Sequence, residues 1–251
     1  MKNIIRILVP YLFVDIYRYV RRRAIEYSDK KRGVEEVFVD IYQKNRWGGK
    51  RGEINSGSGS DDIVASLYID TLAEFAESEG FRGLTFVDLG CGDFRIGKKI
   101  LPLCQKYIGV DIVDAVIQRN VELYGNDAVI FLKQDIIDSE LPDGDVCTVR
   151  QVLQHLSNDQ ILQILGKIGK YKWVFITEHY PSDDANPIPN IDKVHGGGIR
   201  LDRNSGVYLS EPPFTIRAGN LEKVLEVCLP PRGDGKDAGV IRTYLCRPEA
   251  N

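Results

Sequence analysis

The stretch FVDLGCGDFRIG, residues 86–97, decides how this chain is read. A short hydrophobic run meets an acid, Asp88, then the small residues Gly90, Cys91 and Gly92, then a helix-like segment. Glycines there remove Cβ atoms, so the main chain can press against a ligand. A nicotinamide dinucleotide would require G-x-G-x-x-G, and position 95 is Arg rather than the third glycine. Asp88, just ahead of the turn, would repel a pyrophosphate and suits a cationic group. Cys91 reads as a small packing residue, and Asp93 as a cap for the following helix.

Outward from this turn, strands and helices alternate. LTFVDL, YIGVDI, AVIFLKQD, DVCTVRQ and KWVFITEHY read as strands, with helices expected over 94–105, over 113–124 and from Ser157, where Ser157 and Gln160 fit a capping box. LEKVLEVCL and AGVIRTYLCRP read as a closing antiparallel pair, joined by the turn-rich PPRGDGKD. The pattern predicts an α/β fold: a doubly wound, mostly parallel, seven-stranded sheet of Rossmann-like type. Ahead of it, a helix with Ile63, Leu67, Leu72, Phe75 and Ala76 at helical spacing is capped by Ser60 and stopped at Gly80. A shorter helix over 34–46 places Val37, Phe38, Ile41 and Tyr42 on one side.

The spacing divides the chain at residue 60. Residues 1–59 form a basic helical extension with a Gly/Ser-rich lid, and 60–251 the main domain, with a Pro/Gly-rich insertion at about 181–217. The first 33 residues carry nine Lys/Arg against three Asp/Glu, a net of +6. The whole chain is −3, so the remainder carries −9. That balance excludes a general polyanion binder, and no nucleic-acid partner is expected. The N-terminal apolar run is broken by Arg6, Pro10 and Asp15, which is too short to span a bilayer, and no small-residue cleavage site follows. Residues 1–23 suit a helix lying on an anionic membrane face, or one packed on the domain or on a partner chain. The five cysteines, none spaced as CxxC, argue against a zinc site or disulfide framework and for a reducing cytoplasm.

In such sheets ligands bind beyond the carboxyl ends of the strands. Those ends supply Asp88, Gly90 and Gly92; Asp111; Asp135; Arg150, Gln151 and then His155; and Glu178, His179 and Tyr180. Asp111, about twenty residues past the glycines, suits a ribose hydroxyl pair, and Asp135 an exocyclic amine. The three acids describe a cofactor with an ammonium, a ribose and an adenine but no phosphate: S-adenosylmethionine (SAM).

The pattern VDLGCGDF…GVDI…KQDI…RQVLQHLS resembles class I SAM-dependent methyltransferases over roughly residues 60–180. The resemblance implies that Asp88, Gly90, Cys91 and Gly92 surround the methionine part. Asp111 with Ile112 would hold the ribose and Asp135 with Ile136 the adenine, with Arg150 and Gln151 closing the cofactor wall. Phe94 stands where many members have a third glycine, and is expected to narrow the pocket floor.

The acceptor is less legible. The N/D-P-P-Y/F motif of amino methyltransferases is absent from strand four, which reads RQVLQHLS; NPIPN lies after strand five and is a coincidence of composition. His155 is the first candidate for a base, since an ordinary imidazole titrates near 6.5 and can take a hydroxyl proton. Glu178 and His179 are a second option, and Asp192 with His195 would complete a divalent-metal site, Mg²⁺ for example. The flanks WGGKRGEINSGSGS and PNIDKVHGGGIRL resemble bacterial methyltransferases of polysaccharide and surface-glycan biosynthesis. That likeness implies a sugar or glycan hydroxyl as acceptor. Trp47 suits a sugar face and Arg200 an anionic group, with Tyr180 a further candidate contact, and the basic N-terminus suits a lipid-linked glycan at the inner membrane face. An N-methyltransferase of a small molecule or protein, and a non-catalytic SAM-fold docking module, remain alternatives.

Overall fold

The computed structural model describes residues 2–50, 53–57, 62–217, 220–230 and 238–247. Seven strands form one sheet: β1 (Leu84–Leu89), β2 (Cys104–Asp111), β3 (Val129–Lys133), β4 (Val146–Arg150), β5 (Trp173–Tyr180), β6 (Leu221–Cys228) and β7 (Val240–Cys246). The order is β3-β2-β1-β4-β5-β7-β6. β1 to β5 pair in parallel, and β7 runs antiparallel to both β5 and β6. The chain winds outward from β1 to β3, then returns to lay β4 beside β1. That reversal opens a crevice at the carboxyl ends of β1 and β4.

Alternation along the strands feeds two cores. Val87, Leu89, Val110, Val149 and Ile176 pack on one face under helix α6 (Asn158–Ile168), which contributes Ile161, Ile164 and Ile168. Phe86, Tyr107, Phe131, Trp173 and Phe175 pack on the other under helix α3 (Asp62–Ser78) and helix α5 (Asp114–Tyr124). In α3 the buried stripe is Ala65, Tyr68, Leu72 and Ala76, whereas Leu67, expected inside, is 42% exposed. Ser60, the expected cap, lies outside the described residues, as does most of the turn before β7.

Two further helices precede these: α1 (Lys2–Asp29) and α2 (Val34–Gln43), the latter burying Val37 and Ile41. The helix expected over 94–105 is reduced to α4 (Gly97–Ile100) and a 3₁₀ turn at Leu101–Leu103. Phe94 has left-handed backbone (φ 65°) and Pro102 offers no N–H, so neither end can extend it.

Residues 181–217 have little regular structure and are ordered through side chains. The Asn190 amide donates to the carbonyls of Tyr208, Glu211 and Pro212 at 2.9, 3.0 and 2.9 Å. Lys167, in α6, does the same for the turn after β3, donating to the carbonyls of Ile136, Ile137 and Ser139 at 2.6–2.8 Å.

The capping box at Ser157 is present. Ser157 Oγ accepts from Gln160 N (3.3 Å), and Gln160 Oε1 accepts from Ser157 N (3.0 Å). Ser157→Ala is expected to cost about 1 kcal/mol, read as a fall of roughly 2–4 °C in thermal midpoint. An unchanged midpoint would show that α6 is held by its apolar stripe alone.

Candidate active site

A cavity opens beyond the ends of β1 and β4. Its floor is Asp88 and the Gly90–Asp93 turn, one side is Asp111 and Ile112 with Gln134 to Ile137, and the other is Arg150, Gln151, Val152, His155 and Leu156. Val34, Phe38, Tyr42, Trp47 and Ser56, all from the N-terminal extension, complete it.

The turn needs its glycines. Gly90 (φ 78°) would bring a Cβ to 2.4 Å from Val152 Cγ2, and Gly92 (φ 52°) one to 2.3 Å from Ser56 Oγ. Asp111 fixes the turn from β2: one carboxylate oxygen accepts from Gly92 N (3.1 Å), the other from Val113 N (3.0 Å). From α5, Asn120 donates to the Gly92 carbonyl (2.7 Å). Burial pushes the Asp111 carboxyl up to about 6, against the pull of these backbone N–H groups. Asp88 accepts from Tyr107 (2.5 Å) and Thr148 (2.8 Å); burial raises it, while those bonds and Arg150 draw it down. Asp135 accepts from Ile137 N (2.8 Å), so its own turn holds it at the wall. Burial pushes the Cys91 thiol well up, consistent with a packing residue.

Phe94 does not narrow the floor. Its ring turns beneath the turn, against Tyr107, Tyr124 and Phe131 at 4.9–5.1 Å between centroids, because its left-handed backbone aims it into the core. Asp93 does not cap α4, whose cap position is Ile96. It holds the roof instead: it accepts from Ser56 N (2.9 Å), and its own N–H donates to Ser56 Oγ (2.8 Å). Tyr42 shares Ser56 Oγ at 3.0 Å, and Arg95 reaches Asp93, Asn55 and the Gly57 carbonyl. Tyr42 stood in the sequence only as part of a helical stripe, and Ser56 lay in a Gly/Ser run with no signal at all.

His155 faces the cavity on a 3₁₀ turn, Leu153–His155. Its Nδ1 donates to the Gly196 carbonyl (3.2 Å), which leaves Nε2 as the acceptor nitrogen; the Gln154 amide meets it at the long distance of 3.5 Å. Trp47 and Phe38 pack on the ring at centroid distances of 5.1 and 6.4 Å. Burial, reinforced by Lys193, pushes the imidazole down to about 3. The ordinary value near 6.5 expected from sequence therefore does not apply, and the ring is neutral throughout the physiological range.

The other candidates lie elsewhere. Glu178 sits behind the turn, its carboxylate accepting from the N–H groups of Val152, Leu153 and Gln154 at 2.8–3.1 Å, and burial pushes it up to about 8. His179 bonds the Ala238 carbonyl at 2.6 Å. Tyr180 donates to the Val207 carbonyl (2.8 Å). Arg200, fully buried, ties the carbonyls of Ile191 (2.5 Å) and Leu156 (2.8 Å). None of these four lines the cavity. Asp192 accepts from Asn158 N (2.8 Å), and His195 bridges the Arg32 carbonyl (3.1 Å) and Gln160 (3.3 Å). Among the described residues no group of three or more His, Cys, Asp or Glu could hold a metal, so the Mg²⁺ expectation is not sustained.

Against known proteins, residues 87–168 match the methyltransferase domain family model. That stretch carries the pattern of a methyltransferase domain. It is 25% identical over 157 residues to phosphoethanolamine N-methyltransferase 1 of Triticum aestivum; the match covers 55% of this chain and 30% of that relative. In fold it is similar to the N-methyltransferase NodS of Bradyrhizobium japonicum WM9 in complex with S-adenosyl-L-homocysteine (TM-score 0.55, 14% identity, 84% of this chain and 99% of that one). It is similar also to the Burkholderia thailandensis 1,6-didemethyltoxoflavin-N1-methyltransferase (TM-score 0.55, 16% identity, 88% and 89%). The cavity of this methyltransferase domain suits SAM: the turn has no room for added side chains, carboxylates stand at two strand ends, and Gln151 Nε2 is buried there without a hydrogen-bond partner.

Asp111→Ala should weaken SAM binding by about 1.5–3 kcal/mol, tenfold or more, by calorimetric titration of a folded variant. With Asp111 titrating at about 6, wild-type affinity should decline as pH falls below that value, where the charged acceptor is lost, and Asp111→Asn should abolish the decline. Unchanged affinity in either variant would remove Asp111 from the ribose site.

Proposed function

We propose that this chain is a SAM-dependent methyltransferase that acts on a hydroxyl of a small, ring-bearing acceptor, a sugar or a unit of a bacterial surface glycan. One observation carries the reading. At the roofed end of the cavity stands a neutral imidazole whose Nδ1–H is committed to a backbone carbonyl and whose Nε2 keeps a lone pair, with Trp47 and Phe38 beside it.

Asp111 with Ile112 would hold the ribose, Asp135 with Ile136 the adenine, and the Gly90–Gly92 backbone with Gln151 the amino-acid end. When bound, SAM supplies a methyl group activated by a sulfonium leaving group. The protein contributes alignment and a destination for the proton. His155 Nε2 can accept a hydrogen bond from an acceptor hydroxyl and so orient the oxygen's other lone pair. An alcohol oxygen sheds its proton readily once alkylated, so even the weak base that burial makes of His155 can take it. A methylated alkylammonium, which titrates at about 10, would not surrender its proton to such a ring.

Trp47, with its Nε1 on the Gly197 carbonyl at 3.3 Å, offers an immobilised apolar surface for a sugar face. The extension, residues 1–59, would then act as roof and lid over the main domain. Transfer to nitrogen is the second reading, favoured by the wheat relative, which is named for that reaction. It requires no base at His155.

Turnover measured on paired hydroxyl and amine acceptors distinguishes the two. His155→Ala should lower kcat on the hydroxyl acceptor by roughly five- to tenfold, the worth of one orienting hydrogen bond, while leaving SAM affinity intact. Since His155 is already neutral well below pH 5, the ratio of wild-type to His155→Gln rates should stay constant between pH 5 and 8. A ratio that rises with pH through about 6.5 would restore an ordinary imidazole. Normal turnover of amines by the variant, with no hydroxyl acceptor methylated by the wild type, would overturn the hydroxyl reading.

A further inference from the structure

Helix α1 has two sides of different character. Toward the body, Arg22 donates to the Asp202 carbonyl (3.1 Å), Glu26 takes Arg203 (2.5 Å), and Asp29 is buried against Arg32. On the other side stand Phe13, Ile16, Tyr17, Val20 and Tyr27, at spacings of three, four, seven and fourteen from the first, which is one face at 3.6 residues per turn. Every one is exposed, at 65, 49, 66, 58 and 65%. No other described part of the chain covers this stripe.

Its borders are basic. Arg21 and Arg23 flank Val20 and are exposed, and Lys31 lies 4.1 Å over the Tyr27 ring. From Ile16 to Ile25 there is no Asp or Glu. No helix among the described residues is long and apolar enough to cross a membrane.

We propose that this face of α1 docks on a membrane surface rich in anionic lipid. The charges choose the occupant. Two copies packed stripe to stripe would bring Arg21 and Arg23 of one against those of the other, a like-charge contact in a desolvating interface. Anionic headgroups complement the same rim, and aromatic side chains suit the interfacial layer. The rest of the chain, at −9 beyond residue 33, is repelled by that surface, so α1 alone approaches it. The helix runs through residues 30–33 directly into α2, whose Val34, Phe38 and Tyr42 line the cavity. Docking thus holds the roof beside the lipid. This inference stands independently of the acceptor proposed above.

The test is co-sedimentation of the full chain with phosphatidylcholine vesicles, alone or containing about 30% phosphatidylglycerol, at low and high salt. Binding is expected to the anionic vesicles only, and to weaken with salt. Val20→Asp should reduce the partition coefficient at least about tenfold. Arg21→Glu with Arg23→Glu should reduce it at least about twentyfold, at roughly fivefold per basic residue. Both variants lie outside the cavity, and retained S-adenosylhomocysteine binding verifies their fold. Sedimentation equilibrium without lipid supplies the counter-test. A wild-type dimer that Val20→Asp disperses would assign the stripe to a second copy and overturn the proposal, as would a wild-type chain that stays in the supernatant with anionic vesicles at low salt.

Discussion

The Asp111 carboxylate organises the crevice. It closes β2, takes the N–H of Gly92 with one oxygen and starts α5 with the other. Without it the Gly92 N–H would lose its acceptor, and the turn would be tied to β2 only through the Gly90 and Cys91 N–H groups on the Val110 carbonyl. With it, the turn is held at its N–H by β2 and at its carbonyl by Asn120 of α5. Everything above is built on that turn: Asp93 reaches up from it to Ser56, and Ser56 to Tyr42. A single buried acid thereby relates the sheet, the floor and the roof.

Glu178 performs the corresponding task for the other wall. Three N–H groups at the start of a 3₁₀ turn have no helical partners, and its two oxygens supply them. The turn so fixed carries His155, and residues 193–196 grip that histidine again: Lys193 Nζ and Gly196 N both bond its carbonyl, and the Gly196 carbonyl its ring. These buried groups carry opposite pH dependences. His155, held down near 3 when folded, favours the native state above about 6.5 and loses that contribution as pH falls below it. Glu178, raised to about 8, costs nothing below about 4.5 and opposes folding increasingly as pH rises through 8.

The sheet was legible because strand burial and helical spacing are local signals, and strand ends in α/β folds converge on one edge. Asp88, Gly90, Gly92, Asp111, Asp135 and His155 could thus be placed on the cavity from their positions alone. What escaped depended on direction rather than position. Glu178 and His179 end a strand near the crevice, yet alternation turns one behind the 3₁₀ turn and the other toward Ala238. Arg200 and His195 looked like ligand groups, but carbonyls at neighbouring turns need donors, and those side chains serve Ile191, Leu156 and Arg32. The roof was hidden for a third reason: Ser56 matters through contacts made 37 residues away, to Asp93.

The Ser56–Asp93 clasp makes the roof and the floor one mechanical unit. The roof fastens to the floor of the crevice itself, on the residue following Gly92, and not to a separate rim. A shift of the glycine turn is therefore passed directly to the N-terminal extension, and a change in the extension directly to the turn. Two segments 37 residues apart in the chain thus respond as one wall through one pair of hydrogen bonds.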